Sequence, residues 1–78
     1  MKPVVTEKAV MMIESQNVLT FETSKDETKG EIKKEIEELF DVKVEKIRTN
    51  IRLNKKYAYV KLKKEFPAID LAMKLGLM

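Results

Sequence analysis

Lys46-Ile47-Arg48-Thr49-Asn50-Ile51-Arg52-Leu53, followed after three residues by Tyr57-Ala58-Tyr59-Val60-Lys61-Leu62-Lys63, is the stretch that decides the fold. Both runs alternate apolar and polar side chains with the period of a pleated strand. So few residues separate them that they predict an antiparallel hairpin turning near Asn54-Lys55. Ile47, Ile51, Leu53, Ala58, Val60 and Leu62 share one face, expected to be core. Lys46, Arg48, Asn50, Arg52, Tyr57, Tyr59, Lys61 and Lys63 share the other, with Lys55 and Lys56 at the tip. Val42 and Val44 have the opposite parity to Ile47, which predicts a bulge or a strand start near Glu45.

Upstream, Thr28-Lys29-Gly30-Glu31 has the spacing of a capping box, in which the threonine and glutamate side chains each satisfy a backbone donor of the other. Ile32, Ile36, Leu39 and Phe40 then form one apolar stripe at helical spacing. Lys33, Lys34, Glu35, Glu37 and Glu38 cover the other side. Asn17 to Thr23 reads as a strand, with Leu19 and Phe21 facing one way and Val18 and Thr20 the other. Ser24 to Glu27 is a polar loop. Thr6 is placed to cap a first helix over Glu7 to Glu14, with Ala9, Val10 and Ile13 on its buried side.

Downstream, Pro67 suits the first position of a last helix whose stripe is Ala68, Leu71, Ala72 and Leu75. Gly76 is placed to end that helix. Met11, Met12 and Met73 are expected to fill gaps in the core, and Phe66 to join it. The tail Leu77-Met78 fits either core or a partner patch. The pattern predicts an α+β fold over residues 1–78: a small mixed, mainly antiparallel sheet with helices packed on it, in the order helix-strand-helix-strand-strand-helix.

Seventy-eight residues make a single domain, and a chain of that length buries only about 60% of the surface its unfolded form exposes. With no cysteine and no histidine, disulfides, the usual zinc sites and the commonest general bases and nucleophiles are all absent. Glu35, Glu37 and Glu38 read as a solvated helix face rather than a catalytic pair. Ser15 and Ser24 have no basic partner nearby in sequence. Gly30 and Gly76 belong to no phosphate-binding motif. Asp26, Glu27 and Glu31 lack the spacing of a calcium loop. The expectation is therefore no enzyme, no catalytic residue, no metal and no cofactor. No apolar run approaches the roughly 18 residues of a membrane span. The N-terminus lacks the apolar stretch of a signal peptide. Direct membrane insertion is not expected, and the chain reads as soluble, unprocessed and cytoplasmic.

Charge is distributed unevenly. Met1 to Leu39 holds six Lys or Arg against nine Asp or Glu, whereas Phe40 to Met78 holds ten against four. Between Lys43 and Lys64 nine basic residues face one acid, Glu45. A basic segment with tyrosines interleaved suits RNA, since cations neutralise phosphates and aromatic rings stack on unpaired bases. Expected RNA contacts are Lys46, Arg48, Asn50, Arg52, Lys55, Lys56, Tyr57, Tyr59, Lys61 and Lys63, joined by Lys8, Lys29 and Lys33. The alternative is a free-standing protein-interaction domain whose cations serve solubility and protect strand edges.

Four segments in order carry a family resemblance: Pro3-Val4-Val5-Thr6-Glu7-Lys8-Ala9, Thr28-Lys29-Gly30-Glu31-Ile32-Lys33-Lys34, Glu37-Glu38-Leu39-Phe40-Asp41-Val42-Lys43-Val44-Glu45-Lys46-Ile47, and Lys55-Lys56-Tyr57-Ala58-Tyr59-Val60-Lys61-Leu62. Together they resemble universal large-subunit ribosomal protein number twenty-three in its short archaeal form. The resemblance implies a mixed sheet with packed helices and binding to large-subunit ribosomal RNA beside the nascent-chain exit tunnel. It implies as partners a neighbouring tunnel-rim ribosomal protein, the signal recognition particle and other nascent-chain factors. Glu7 matches the acidic position of the family's exposed docking motif, and it also suits the dipole of a helix start. Bacterial relatives carry a long tunnel-reaching loop between the last two strands, for which Leu53 to Tyr57 leaves no room. The tip also lacks the Pro-Lys-Gly type of turn often seen in archaeal relatives. The N-terminus begins almost at the docking motif, so contacts from a longer arm are not expected.

Overall fold

The computed structural model describes residues 2–76. Its elements are β1 (Lys2–Pro3), α1 (Glu7–Gln16), β2 (Val18–Thr23), α2 (Lys29–Phe40), β3 (Val44–Arg52), β4 (Lys55–Leu62) and α3 (Ala68–Lys74). Tail residues Leu77 and Met78 lie outside the described residues. The strands form one sheet in the order β1-β2-β4-β3. β2, α2 and β3 make a strand-helix-strand unit, and β4 inserts between its two strands. That insertion replaces a parallel pair with two antiparallel ones, so every pairing among the described residues is antiparallel. The expected α+β architecture is observed, with the two-residue β1 as an added edge.

Local signals act where the sequence places them. Thr28 Oγ1 accepts from Glu31 N at 3.2 Å, and Glu31 Oε1 accepts from Thr28 N at 3.2 Å, which completes the capping box. Thr6 Oγ1 accepts from Ala9 N at 3.1 Å and starts α1. The β3–β4 register slips between Val44 and Lys46, so Glu45 is the bulged residue. Gly76 has φ 75 just past α3, the left-handed conformation glycine tolerates.

The core lies on one face of the sheet. Leu19, Phe21, Ala58, Val60, Leu62 and Val44 meet Ile13 of α1, Ile32 and Ile36 of α2, and Ala68, Leu71 and Ala72 of α3. Burying each of the large members contributes about 1.5–3 kcal/mol. Phe66 and Phe40 pack half-buried against this cluster. Asn17 ties the layers together. It is not the first residue of β2 but the left-handed cap of α1, with φ 58 and ψ 38. Its Nδ2 donates to Leu62 O at 3.0 Å and Phe66 O at 3.2 Å, and its Oδ1 accepts from Ala68 N. Pro67, the N-cap of α3, makes no side-chain cap bond, so Asn17 serves as a cap from another element.

Several expectations are corrected. The hairpin turns at Leu53-Asn54, not Asn54-Lys55: Arg52 pairs with Lys55, and both turn residues have positive φ, the requirement of a type I′ turn. Ile51 and Leu53 are not core, at 63% and 90% exposure, because the hairpin tip projects beyond the helix layer. Leu39 is exposed as well, since the buried arc of α2 is narrow and holds only Ile32 and Ile36 fully. Met11 and Met73 point to solvent rather than filling the core. Glu37 is half-buried, and its Oε2 accepts at 2.8 Å from Val44 N, at the start of the edge strand β3.

Candidate nucleic-acid interface

Pleating sends alternate side chains to the face away from the core, and the register arranges them in transverse rows. Lys46 of β3, Lys61 of β4 and Val18 of β2 form one. Arg48, Tyr59 and Thr20 form the next. Asn50, Tyr57, Glu22 and, on β1, Lys2 form the third. Arg52 and Lys55 close the ribbon at the tip. Two of the cross-strand pairs are therefore cation opposite cation, Lys46 with Lys61 and Arg52 with Lys55, an arrangement that destabilises a sheet in isolation.

Opposite charge relieves it only at Lys55. Among the described residues the one ion pair is Lys55 Nζ to Glu22 Oε1 at 3.8 Å, a partly exposed contact worth at most about 1 kcal/mol. Lys46, Arg48, Arg52 and Lys61 have no carboxylate within ion-pair distance among those residues. Tyr57 and Tyr59 stand between them, half-buried.

This face is not an open wet surface across its whole width. α1 straddles the edge of the sheet beside β2. Its Ile13 enters the core on one side, while Lys8, Met12 and Gln16 form a wall on the other. Val18 and Thr20 are consequently buried although they point away from the core. Between wall and sheet run two adjoining hollows of about 320 and 230 Å³, which share Lys8, Met12 and Tyr59. The first also meets Lys46, Arg48 and Lys61, and the second Arg52, Tyr57 and Thr20.

The structure thus gathers Lys8, Lys46, Arg48, Asn50, Arg52, Lys55, Tyr57, Tyr59 and Lys61 on one side of the sheet. It does not gather the rest. Lys56 projects from the other face, in register with Ile51 and Thr23, and its Nζ donates to the Glu27 carbonyl. Lys63 lies beyond the end of β4, where it lines a hollow with Asn17 and Glu45. Lys29 and Lys33 are exposed on α2, which packs on the core side. Glu7 is exposed in the first turn of α1. Met12, Gln16, Val18 and Thr20 line the cleft without having been expected there. Their strand and helix positions are readable, but nothing local says that α1 crosses to the cationic side. No cluster of side chains suited to a metal occurs among the described residues, nor is any helix long and apolar enough to cross a membrane.

A family model described as Ribosomal protein L23 matches residues 1–69, a span that takes in the whole sheet, α1, α2 and the start of α3. The match covers both the segment around Glu7 and the entire cationic hairpin. The chain therefore belongs to the ribosomal protein L23 family, structural components of the large subunit of the cytoplasmic ribosome.

Proposed function

We propose that this protein binds large-subunit ribosomal RNA beside the nascent-chain exit tunnel, through the sheet face carrying Lys46, Arg48, Asn50, Arg52, Lys55, Tyr57, Tyr59 and Lys61 with Lys8 on the facing helix. One observation carries this reading: two pairs of cations sit directly opposite each other, and among the described residues Lys46, Arg48, Arg52 and Lys61 have no carboxylate partner, Lys55 alone being paired with Glu22. A polyanion relieves that repulsion and releases its own condensed counterions in doing so. A face evolved only for solubility is better served by mixed signs. Tyr57 and Tyr59 offer rings for unpaired bases, and the arginine planes can stack likewise.

Lys29 and Lys33, on the far side of the sheet, suit contact with a separate RNA segment. The exposed carboxylate of Glu7 at the start of α1 suits docking of a factor that meets nascent chains, such as the signal recognition particle. A neighbouring tunnel-rim protein completes the surroundings. The two-residue turn between β3 and β4 supports the short, archaeal form without a tunnel-reaching loop.

The test is binding of the protein to large-subunit ribosomal RNA across a salt series, with transfer RNA as competitor. The comparison variant carries Arg48→Glu, Arg52→Glu and Lys61→Glu. Each phosphate contact contributes roughly 0.7–0.9 to the slope of log affinity against log salt, so the variant should lose about 2–3 from that slope. Selective binding that is retained at full slope in the variant refutes this face as the interface. A folded wild-type protein without selectivity for ribosomal RNA refutes direct recognition and favours the interaction-domain alternative.

A further inference from the structure

Thr20 is the least expected residue on the cationic side. It is only 7% exposed, and its Oγ1 has no hydrogen-bond partner among the described residues. A buried hydroxyl left unpaired costs about 1–3 kcal/mol. Its strand position directs it away from the core, into the row shared with Tyr59 and Arg48. There it lines the smaller hollow, with Ala9 and Met12 on the helix wall and Tyr57 and Tyr59 on the sheet. Basic side chains share the lining: Lys8 and Arg52 at this hollow, Lys8, Lys46, Arg48 and Lys61 at the adjoining one.

This hollow sets two tyrosines and a methionine beside the cations Lys8 and Arg52, with Thr20 in its lining. It fits an unstacked nucleobase whose phosphates stay at the mouth. We infer that the cleft between α1 and the sheet receives a single extruded nucleotide of the bound RNA, its edge hydrogen-bonded to Thr20 Oγ1 once a rotation of the threonine side chain turns that covered hydroxyl into the hollow. Its ring lies against Tyr59 and Met12, and its flanking phosphates meet Lys8, Arg48 and Arg52. This inference rests on the RNA reading above and adds to it a defined subsite. A threonine hydroxyl both donates and accepts, so it satisfies an edge of any base and anchors without selecting. The remaining cations contribute the salt-dependent part of binding.

The experiment compares wild type with Thr20→Val, Thr20→Ser and Met12→Trp, using large-subunit ribosomal RNA. It reads affinity across salt, chemical accessibility of base edges, and unfolding midpoints in urea. Thr20→Val keeps the shape and removes the hydroxyl. It should lose roughly 3- to 10-fold in affinity, the worth of one hydrogen bond, with an unchanged salt slope. One nucleotide protected by wild type should become reactive while the backbone protections around it remain. Thr20→Ser should restore both. Met12→Trp, which fills the cleft, should lose the same single protection. Unfolding midpoints at or above the wild-type value for Thr20→Val exclude misfolding as the cause. Wild-type affinity and footprint in both Thr20→Val and Met12→Trp overturn the subsite while leaving RNA binding in place. Absence of any binding by folded wild type overturns both readings together.

Discussion

Replacing Asn17 by alanine should cost this small protein about 3–5 kcal/mol, out of the roughly 4–12 kcal/mol expected for a chain of this size. The magnitude follows from what one side chain does. Its amide donates to the carbonyls of Leu62 and Phe66 at 3.0 and 3.2 Å. Each such bond contributes about 0.5–1.5 kcal/mol net. Its oxygen accepts from the backbone N–H of Ala68, a residue with no exposure, so alanine leaves a buried donor unpaired at about 1–3 kcal/mol. Alanine must also hold φ 58, which costs a residue with a Cβ about 1 kcal/mol. Three variants separate these parts. Asn17→Gly relieves the backbone and should recover about 1 kcal/mol relative to Asn17→Ala. Asn17→Asp keeps the acceptor for Ala68 but turns a negative oxygen toward two carbonyls, so it should lose at least as much as Asn17→Gly. Urea unfolding followed by circular dichroism is the assay. Slopes of about 1–3 kcal/mol per molar put the expected shift for alanine at roughly 1–5 M. An Asn17→Asp protein as stable as wild type would show that the two amide donations contribute nothing. An alanine variant within about 1 kcal/mol of wild type would refute the role of Asn17 as a shared cap.

Leu53 is 90% exposed at φ 51, so Leu53→Asn should raise stability by about 0.5–1 kcal/mol, because asparagine tolerates the left-handed region; an unfolding midpoint that falls contradicts the assigned turn. Glu37→Ala strips the acceptor from the buried Val44 N–H and should cost about 1–3 kcal/mol, whereas Glu37→Gln, which retains an amide oxygen, should cost less; equal losses in denaturant would point to charge rather than to that bond. Tyr59→Phe should bind ribosomal RNA within about twofold of wild type, and Tyr59→Ala should lose about 1–3 kcal/mol of binding; parallel losses would assign the contact to the hydroxyl instead of the ring. Glu7→Lys should leave RNA affinity intact while reducing co-sedimentation of the signal recognition particle with ribosomes carrying the variant. Undiminished co-sedimentation would remove Glu7 from any docking surface.

Much of the fold is legible in the chain because it is set by neighbours in sequence. Alternation over Lys46–Lys63 defines two strands and separates cations from core. Thr28 and Glu31 sit three residues apart and cap a helix with no help from the rest of the molecule. The parity break at Val44 announces the bulge at Glu45. In each case the interacting groups are a few residues apart, so the pattern and the structure carry the same information. The limits of that legibility are equally physical. Periodicity says which side of a strand is apolar, but not where the helix layer above it ends. Ile51 and Leu53 accordingly lie outside the core despite their parity.

The sequence by itself determined the element types, the cationic ribbon and the segments shared with the ribosomal protein L23 family. Only the tertiary structure decided which cations lie together. β4 inserts between β2 and β3, and that long-range pairing aligns Lys61 and Tyr59 with Val18 and Thr20 across the sheet. α1 crosses the sheet edge and brings Lys8 and Met12 against that row, while α2 takes Lys29 and Lys33 to the opposite side. Lys56, which strand parity already sends to the opposite face, is fastened there to a carbonyl far from it in the chain. Such placements depend on contacts between distant residues, whose energies come from packing the whole core and leave no periodic trace in any one segment.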